Sequence, residues 1–339
     1  MTIGPLHAEA RTRTLTGVQI LGTGRYLPDN VVTNHDLLAS HGFDPEWIVN
    51  RTGITERRFA LPHQATSDLA VHAANRALKD AGCDPSEVDL LVVGTFTPDM
   101  AFPSTACLVQ DRMKLNCPAF DVQAACAGFV YALATACQFV AAGTSERALV
   151  IGADCNSRVI NPGDQKSFPL FGDGAGAVLL ARGTPEQGML AYQLGSDGSG
   201  GDLLNRPACG SRMPPSVEAL EQGLHYLTMD GRAVFKWAVR ILADSCQAVL
   251  ARAGRTVEDV RWFIPHQANV RIIHAASDVL GFHRDVVYKN LERYGNTSAG
   301  SIPIALDELI EEKQVRRGDL ILTSGFGAGL NWGTALWQW

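Results

Sequence analysis

Charged residues and cysteine pairs are sparse in this chain, and their scarcity argues against several classes of protein. Asp, Glu, Lys and Arg make up 19% of the 339 residues, and the formal net charge is −6. The basic residues are scattered along the chain, so nucleic acid is not an expected partner. None of the eight cysteines forms a C-x-x-C pair, which argues against a zinc site and a thioredoxin-type motif.

Signals for export and for membrane insertion are also weak. Residues 1–16 carry His7 and Glu9 but no apolar core, so they are interpreted as a flexible extension and not as a secretory signal. The uncharged stretch 122–145 is long enough for a membrane span, which needs about 20 apolar residues. Because Gln123 and Gln138 dilute it, a buried core helix is favoured. Together with unpaired cysteines in apolar or helical contexts, these features predict a cytoplasmic protein.

Helical patterns and short apolar runs do alternate along the chain. Helices are predicted at Ser67 to Ala81, Gly128 to Ala142, Gly231 to Ala253 and Ile302 to Gln314. Buried strands are predicted at Leu90 to Gly94, Ala148 to Gly152 and Leu320 to Ser324. This alternation indicates an α/β fold in which helices cover central sheets.

The chain contains a weak internal repeat. At an offset of 172 residues, Leu78-Lys79-Asp80-Ala81-Gly82 matches Leu250-Ala251-Arg252-Ala253-Gly254, and Cys126-Ala127-Gly128 falls on Ser298-Ala299-Gly300. Repeats of this kind indicate duplicated architecture. We therefore expect two similar halves, residues 17–185 and 186–339.

Cys126 is the leading candidate for a nucleophile. It lies between a strand-like run that begins at Ala119 and an almost uncharged helical run from Phe129 to Ala142. A thiol at the N-terminus of a buried helix faces unpaired N–H groups and the positive end of the macrodipole, and both favour the thiolate. The competing interpretation is a small buried hydrophobic residue, which describes most free cysteines.

Two other polar residues occupy positions suited to catalysis. His266 follows the apolar run Trp262-Phe263-Ile264 and is expected at the end of a strand. Asn296 precedes the second central helix, two residues before the repeat counterpart of Cys126. Alone, His266 could be a core histidine and Asn296 a helix cap. Their placement relative to the repeat instead predicts that both approach Cys126, as partners of a cysteine nucleophile do.

A set of motifs in a fixed order carries a family resemblance. The motifs are Trp47-Ile48-Val49 with Arg51-Thr52-Gly53-Ile54, Ala125-Cys126-Ala127-Gly128-Phe129, Phe171-Gly172-Asp173-Gly174-Ala175-Gly176, Pro265-His266-Gln267-Ala268-Asn269, Gly295-Asn296-Thr297-Ser298-Ala299 and Gly325-Phe326-Gly327-Ala328-Gly329. With them the chain resembles the β-ketoacyl-ACP synthase III family of the thiolase superfamily. The glycine clusters do not fit a dinucleotide or phosphate loop, and we expect them to permit close backbone approach around the thiol.

The resemblance implies a fold and a reaction. The fold is a five-layered αβαβα arrangement of two pseudo-symmetric halves in a homodimer. The reaction is a decarboxylating Claisen condensation of an acyl-CoA primer with malonyl-ACP, which gives 3-ketoacyl-ACP and initiates fatty-acid synthesis without metal or organic cofactor. Cys126 would carry the acyl group, and His266 and Asn296 would stabilise the enolate formed from malonyl-ACP. The backbone N–H groups of Cys126 and Ala328 would form the oxyanion hole.

The same resemblance implies substrate-binding residues. Trp47, Arg51 and Asn269 would hold CoA and its pantetheine arm. Phe96 would line the acyl pocket, and Phe102 would cross the dimer interface to close the partner's pocket. Lys236 and Arg271, which match basic positions of the family, would meet the acidic carrier protein.

One departure from the family pattern leaves an alternative open. Gln165 stands where many members have an arginine that stacks on adenine, and Lys166 cannot stack as a planar guanidinium does. A relative in secondary metabolism that transfers an acyl group to a non-malonyl acceptor therefore remains an alternative. A papain-like hydrolase fits less well because its signature around the cysteine is absent. A non-catalytic acyl-carrier-binding protein is a further alternative.

Overall fold

The computed structural model describes residues 11–313 and 315–339, in which strands and helices alternate. The strands are β1 (Arg13–Thr16), β2 (Val18–Tyr26), β3 (Val31–Thr33), β4 (Glu56–Arg58), β5 (Leu90–Gly94), β6 (Ala119–Val122), β7 (Arg147–Asp154), β8 (Gly174–Arg182), β9 (Gly188–Ser196), β10 (Leu204–Asn205), β11 (Thr228–Met229), β12 (Trp262–Pro265), β13 (Leu320–Gly327) and β14 (Asn331–Gln338). The α-helices are α1 (Asn34–His41), α2 (Pro45–Thr52), α3 (Thr66–Ala81), α4 (Thr105–Arg112), α5 (Gly128–Ala142), α6 (Val217–Glu221), α7 (Gly231–Ala253), α8 (Val270–Leu280), α9 (Leu291–Tyr294) and α10 (Ser301–Lys313).

Two five-stranded sheets form the frame of the molecule. The first has the strand order β2-β8-β7-β5-β6 and the second β1-β9-β14-β13-β12. In the first sheet β7, β5 and β6 are parallel, and in the second β12 is parallel to β13. The proposed boundary between the halves, near residue 185, lies in the connection between β8 and β9.

The helices complete five layers. Helices α5 and α10 each contact both sheets and form the central layer. Helices α3 and α4 cover the outer face of the first sheet, and α7 covers the outer face of the second together with α8. This is the predicted five-layered αβαβα fold, and it places the N-termini of α5 and α10 near each other in the interior.

Local sequence explains where several of these helices begin and end. The Asp230 side chain accepts hydrogen bonds from the backbone N–H groups of Arg232 and Ala233 at the start of α7, and Gly254 ends the helix with φ +63°. The turn that leads into α5 has no side-chain cap. The N–H groups of Ala127 and Gly128 are instead bonded within the turn, to the carbonyl oxygens of Ala124 and Ala125.

Helix α5 contains most of the apolar stretch that is long enough for a membrane span. The window Ala125–Ala142 is long and apolar enough by composition, and 61% of it is buried in the protein. Its residues pack between the two sheets, with Phe129, Leu133 and Val140 in the central core. This arrangement agrees with the prediction of a core helix.

The N-terminal segment differs in part from its prediction. Residues 1–10 of the predicted flexible extension lie outside the described residues. Residues Arg13–Thr16 form β1, which pairs with β9 in the register Leu15 to Met189. Strand β1 thus supplies the edge of the second sheet, and flexibility does not describe these four residues.

The repeat also requires a correction by one residue around Cys126. The offset between the halves is 172 residues for β5 and β12, but 173 for α5 and α10 and for β7 and β13. The short 3₁₀ turns before the two central helices are 125–127 and 298–300, and each begins with a positive φ, +46° at Ala125 and +51° at Ser298. Ala125 is therefore the counterpart of Ser298, and Ala299 that of Cys126. One extra residue in a connecting segment, where length changes are tolerated, accounts for the shift.

Candidate active site

Cys126 lies in the turn that leads into α5, as the sequence predicted. Its side chain is 8% exposed and lines a cavity of about 1350 Å³. The Ser298 hydroxyl donates a hydrogen bond to the Cys126 Sγ at 3.3 Å. The two halves of the molecule thus meet at the thiol, through the N-terminal turns of both central helices.

The protonation of Cys126 differs from the expectation of a favoured thiolate. Burial raises the pKa of the Cys126 thiol to about 12. The hydrogen bond from Ser298 acts in the opposite direction, and the nearby Asp154 carboxylate adds to the increase. Desolvation of the charged form thus outweighs the hydrogen bond from Ser298 and favours the thiol over the thiolate.

His266 follows the end of β12 and also lines the cavity. It is 1% exposed, and its Nδ1 lies 2.6 Å from the Ser301 Oγ at the start of α10. The Phe326 ring packs edge-on against the imidazole with ring centroids 5.3 Å apart. Burial lowers the pKa of His266 to about 3, so the ring is neutral at physiological pH.

Asn296 is brought to the same cavity by the segment that precedes α10. Its backbone forms a parallel bridge with Phe171, in which the Asn296 N–H donates to Leu170 O at 2.8 Å and the Gly172 N–H donates to Asn296 O at 3.0 Å. The Asn296 Oδ1 accepts the Ser298 N–H at 2.8 Å. With its oxygen occupied, the side-chain amide has its Nδ2 to offer as a donor.

The backbone of the glycine-rich segment 325–329 passes close to the turn that contains Cys126. A Cβ built on Gly327 would lie 2.6 Å from the Cys126 backbone N, a distance that side chains do not adopt. Only glycine therefore permits the end of β13 to pass this close to the turn. Ala328 is the next residue in the chain, and it lines the cavity together with Cys126.

The mouth of the cavity is basic. Its lining contains six exposed cationic side chains and, among the described residues, no Asp or Glu; the cations are Arg51, Lys166, Arg206, Arg232, Lys236 and Arg271. This concentration contrasts with the net charge of −6 for the chain. A cleft lined by one sign of charge raises the local concentration of ligands of the opposite sign.

Most of the residues predicted to bind substrate line this cavity. Trp47, Arg51 and Phe96 all belong to its lining, and Arg51 is exposed. Asn269 also lines the cavity, but both polar atoms of its side chain bond to the protein backbone. Its Oδ1 caps α8 by accepting the Arg271 N–H, and its Nδ2 donates to Arg51 O at 3.0 Å. Asn269 thereby joins α8 to α2 at the mouth.

Two residues singled out from the sequence lie elsewhere. Phe102 is 84% exposed and is not part of the described lining of this chain's own cavity. Gln165 is likewise absent from that lining, whereas its neighbour Lys166 contributes to it.

Sequence reasoning missed several residues that shape the site. Ser301 forms a hydrogen bond with His266. Arg206 and Arg232 line the mouth in addition to the predicted Arg51 and Arg271. Buried Asp154 accepts the Ala299 N–H at 3.0 Å and the N–H groups of the loop that carries Phe96. No motif marks these residues, because only the fold brings their segments together.

The cavity brings together a buried thiol, a neutral imidazole and a side-chain amide, those of Cys126, His266 and Asn296. A buried thiol can accept an acyl group, and neutral donors can stabilise an oxyanion without adding a charge of their own. Among the described residues, no group of three or more His, Cys, Asp or Glu could hold a metal ion.

Comparison with known proteins gives consistent matches over both halves. Two family models, described as 3-oxoacyl-[acyl-carrier-protein (ACP)] synthase III and as its C terminal part, match residues 120–198 and 250–339. The β-ketoacyl-[acyl-carrier-protein] synthase III of Rhodopirellula baltica is 49% identical, with 96% of this chain and 99% of the relative covered. The protein of the same name from Caldanaerobacter subterraneus is 51% identical, covering 94% and 97%. The crystal structure of 3-oxoacyl-[acyl-carrier-protein] synthase III from Aquifex aeolicus superposes with a TM-score of 0.88 at 44% identity, covering 95% and 100%.

Proposed function

Because the chain belongs to the β-ketoacyl-ACP synthase III family, we propose that Cys126, His266 and Asn296 carry out the condensation by which that family initiates fatty-acid synthesis. The enzyme is an acyltransferase that joins an acyl primer from acyl-CoA to malonyl-ACP. The observation that carries the assignment of residues is that all three side chains line one cavity at the junction of the two central helices.

The first half-reaction places the primer on Cys126. The Cys126 sulfur attacks the thioester carbonyl, and collapse of the tetrahedral intermediate expels CoA, which leaves with the thiol proton as free CoA thiol. The N–H groups of Cys126 and Ala328 are the proposed donors to the oxyanion, and such a donor contributes about 3 to 4 kcal/mol to the transition state. Because burial raises the pKa of the Cys126 thiol, we propose that the thiol loses its proton as the sulfur attacks.

The second half-reaction forms the carbon–carbon bond. The bond between the malonyl C2 and its carboxylate breaks, carbon dioxide leaves, and the electron pair remains as an enolate. His266 and Asn296 donate hydrogen bonds to the enolate oxygen. The enolate carbon attacks the acyl thioester, and Cys126 leaves as thiolate and is reprotonated from solvent.

The neutral state of His266 supports this role. For Nε2 to donate to the enolate, Nδ1 must accept a hydrogen bond, and the Ser301 hydroxyl 2.6 Å away supplies it. An imidazolium in a cavity that desolvates charge would be unfavourable, which agrees with a pKa of about 3. The histidine therefore acts as a hydrogen-bond donor throughout the physiological pH range.

The substrates and partners proposed for the cavity fit its charge. Six cations at the mouth suit the phosphates of CoA and the acidic surface of a carrier protein, while the wall beyond them is largely apolar. We further propose a cytoplasmic homodimer that needs no metal or organic cofactor, in which exposed Phe102 reaches the partner's acyl pocket.

The alternative suggested by Gln165, acyl transfer to a non-malonyl acceptor, is not supported by the relatives of this chain. Full-length relatives at 49% and 51% identity carry the condensing enzyme's name. Gln165 also lies outside the described lining of the cavity, so its departure from the family pattern does not alter the thiol's surroundings.

The test is to incubate the protein with acyl-CoA and malonyl-ACP and to measure carbon dioxide, 3-ketoacyl-ACP and the mass of the protein. Wild type should release both products and carry an acyl group on Cys126, whereas Cys126→Ala should carry none. His266→Ala and Asn296→Ala should still be acylated but should lose condensation on the order of 100- to 1000-fold, the usual cost of one oxyanion donor. Acyl transfer to an alcohol with no decarboxylation would overturn the proposal.

A further inference from the structure

A buried carboxylate outside the cavity accepts several hydrogen bonds from the segment that precedes Asn296. Glu308 lies on α10 and is 2% exposed, and it does not line the cavity. It accepts hydrogen bonds from Tyr294 Oη at 2.8 Å and Asn290 Nδ2 at 2.8 Å. Arg293 binds it with both terminal nitrogens at 3.0 Å, the paired geometry in which guanidinium and carboxylate interact most strongly.

The same helix also holds the other donor of the second half-reaction. Ser301, at the first position of α10, contacts the His266 Nδ1. Seven residues further on, about two helical turns, Glu308 holds Tyr294, which is separated from Asn296 only by Gly295. Gly295 turns the chain there with φ +64°. Helix α10 thus links His266 and Asn296 to one rigid element.

A second connection reaches the same segment from the end of β12, next to His266. Gln267 is 1% exposed, and its Oε1 accepts the Asn290 N–H at 3.0 Å while its Nε2 donates to Pro265 O at 2.6 Å. The end of β12, the 288–294 segment and α10 are thereby joined by hydrogen bonds around Glu308.

We propose that Glu308 is a positioning residue for the condensation step: it fixes the 288–294 segment on α10 and so sets Asn296 relative to His266. Glu308 touches no reacting atom, and acylation of Cys126 does not depend on it. The inference rests on the roles proposed above for His266 and Asn296. A buried ion pair is weak evidence for stability, since apolar replacements often serve as well, and specification of one arrangement is the better-attested reason for such a cluster.

Ionisation of Glu308 agrees with this arrangement. Burial opposes the charged form, but the hydrogen bonds from Asn290 and Tyr294 and the charge of Arg293 outweigh it and lower the pKa of Glu308. Glu308 is therefore a carboxylate at neutral pH, able to accept hydrogen bonds from these donors. Glutamine in its place keeps the size but presents an amide group to the donors.

The experiment compares Glu308→Gln with Glu311→Gln, an identical substitution on the same helix at an exposed residue that pairs with Arg25. Each protein is first treated with acetyl-, butyryl- and octanoyl-CoA, and acyl-Cys126 is followed by intact mass. The acylated protein then receives malonyl-ACP, and carbon dioxide and 3-ketoacyl-ACP are measured. Tyr294→Phe removes one donor to Glu308 and supplies a milder second variant should Glu308→Gln fail to fold.

We expect Glu308→Gln to be acylated at a rate within about twofold of wild type, as Glu311→Gln should be. Its condensation should fall on the order of 100-fold, the effect of a small misplacement of catalytic groups. Tyr294→Phe should likewise keep its acylation rate and lose condensation activity, but by a smaller factor. Equal loss in both half-reactions, which a merely structural role predicts, or no loss in either, would overturn the role of Glu308. Wild type that releases no carbon dioxide would instead overturn the proposed function.

Discussion

At the scale of single residues, Cys126 is subject to two opposing influences. Its position before α5 and the Ser298 hydroxyl favour the thiolate, while burial favours the thiol and raises its pKa to about 12. Below that value the thiolate fraction rises about tenfold for each pH unit. We therefore expect the rate of Cys126 alkylation by iodoacetamide to increase with unit logarithmic slope from pH 6 to 9, without a plateau.

The measurement needs to separate Cys126 from other thiols, because Cys107 and Cys209 are exposed. Peptide mass spectrometry after timed alkylation reports each cysteine, and Cys126→Ala identifies the peptide. A plateau between pH 6 and 8 would show that the helix N-terminus outweighs burial and that the thiolate is the resting form.

The proximity of the three candidate catalytic residues could be predicted from the sequence, whereas the pKa of Cys126 could not. Cys126, His266 and Asn296 could be chosen from motifs and from position relative to predicted elements, and the structure places all three in one cavity. The pKa of Cys126 depends on how many atoms exclude water from it, which only the packed fold determines. The same holds for Ser301 and Glu308, whose partners are distant in sequence.

At the scale of elements, the approach of β13 to the Cys126 turn depends on one missing side chain. Gly327→Ala would place a Cβ 2.6 Å from the Cys126 N and 3.1 Å from the Ala125 Cβ. The strand end must then move away from the turn, and Ala328 moves with it. Because the oxyanion forms in both half-reactions, we expect acylation and condensation each to fall on the order of 100-fold.

Gly198→Ala is the matched control, because a Cβ at Gly198 meets nothing within 4 Å and its φ lies outside the left-handed range. Acyl-Cys126 formation and product release should be unchanged in this control. Retention of both half-reactions by Gly327→Ala would contradict the position assigned to Ala328.

Helix boundaries were predicted best where a helical pattern of apolar residues is followed by a glycine. Helices α5 and α7 have the predicted bounds, and α5 ends at Gly143 and α7 at Gly254, both in the left-handed conformation. Strand β1 was missed because its four residues are stabilised by pairing with β9 and carry no apolar alternation of their own. The one-residue shift of the repeat was missed because short sequence matches do not locate an insertion in a loop.

At the scale of the whole molecule, the repeat predicted two similar halves, and the family resemblance implied the five layers and the basic residues Lys236 and Arg271, but not the full extent of the basic mouth. Its cations come from segments as far apart as Arg51 and Arg271, and Arg206 and Arg232 belong to no motif. Charge patterns of this kind are a property of the folded surface. Composition alone, with a net charge of −6, indicates the opposite sign.

The basic mouth predicts a binding defect for a reversed charge at its rim. Lys236→Glu should raise the KM for malonyl-ACP about tenfold and leave kcat little changed, because a rim charge acts on encounter with an acidic partner. The increase should shrink as salt is added, since screening weakens interactions between exposed charges. Lys79→Glu, on the outer helix α3 and away from the cavity, should leave the KM unchanged. Equal effects of the two substitutions would exclude a specific role for this surface.

The last prediction concerns the assembly of two chains. Phe102 is 84% exposed, an unusual state for a phenylalanine, and its loop follows β5 on the side of the first sheet where β6 forms the edge. If this ring closes the partner's acyl pocket, Phe102→Ala should leave the dimer intact in analytical ultracentrifugation and shift the preferred primer to longer acyl-CoA, since the pocket gains volume. Leu38→Ala, at another exposed apolar residue 47% accessible on α1, is the control and should leave the acyl-chain profile unchanged. A monomeric wild type, or an unchanged profile in Phe102→Ala, would contradict the contribution of the partner.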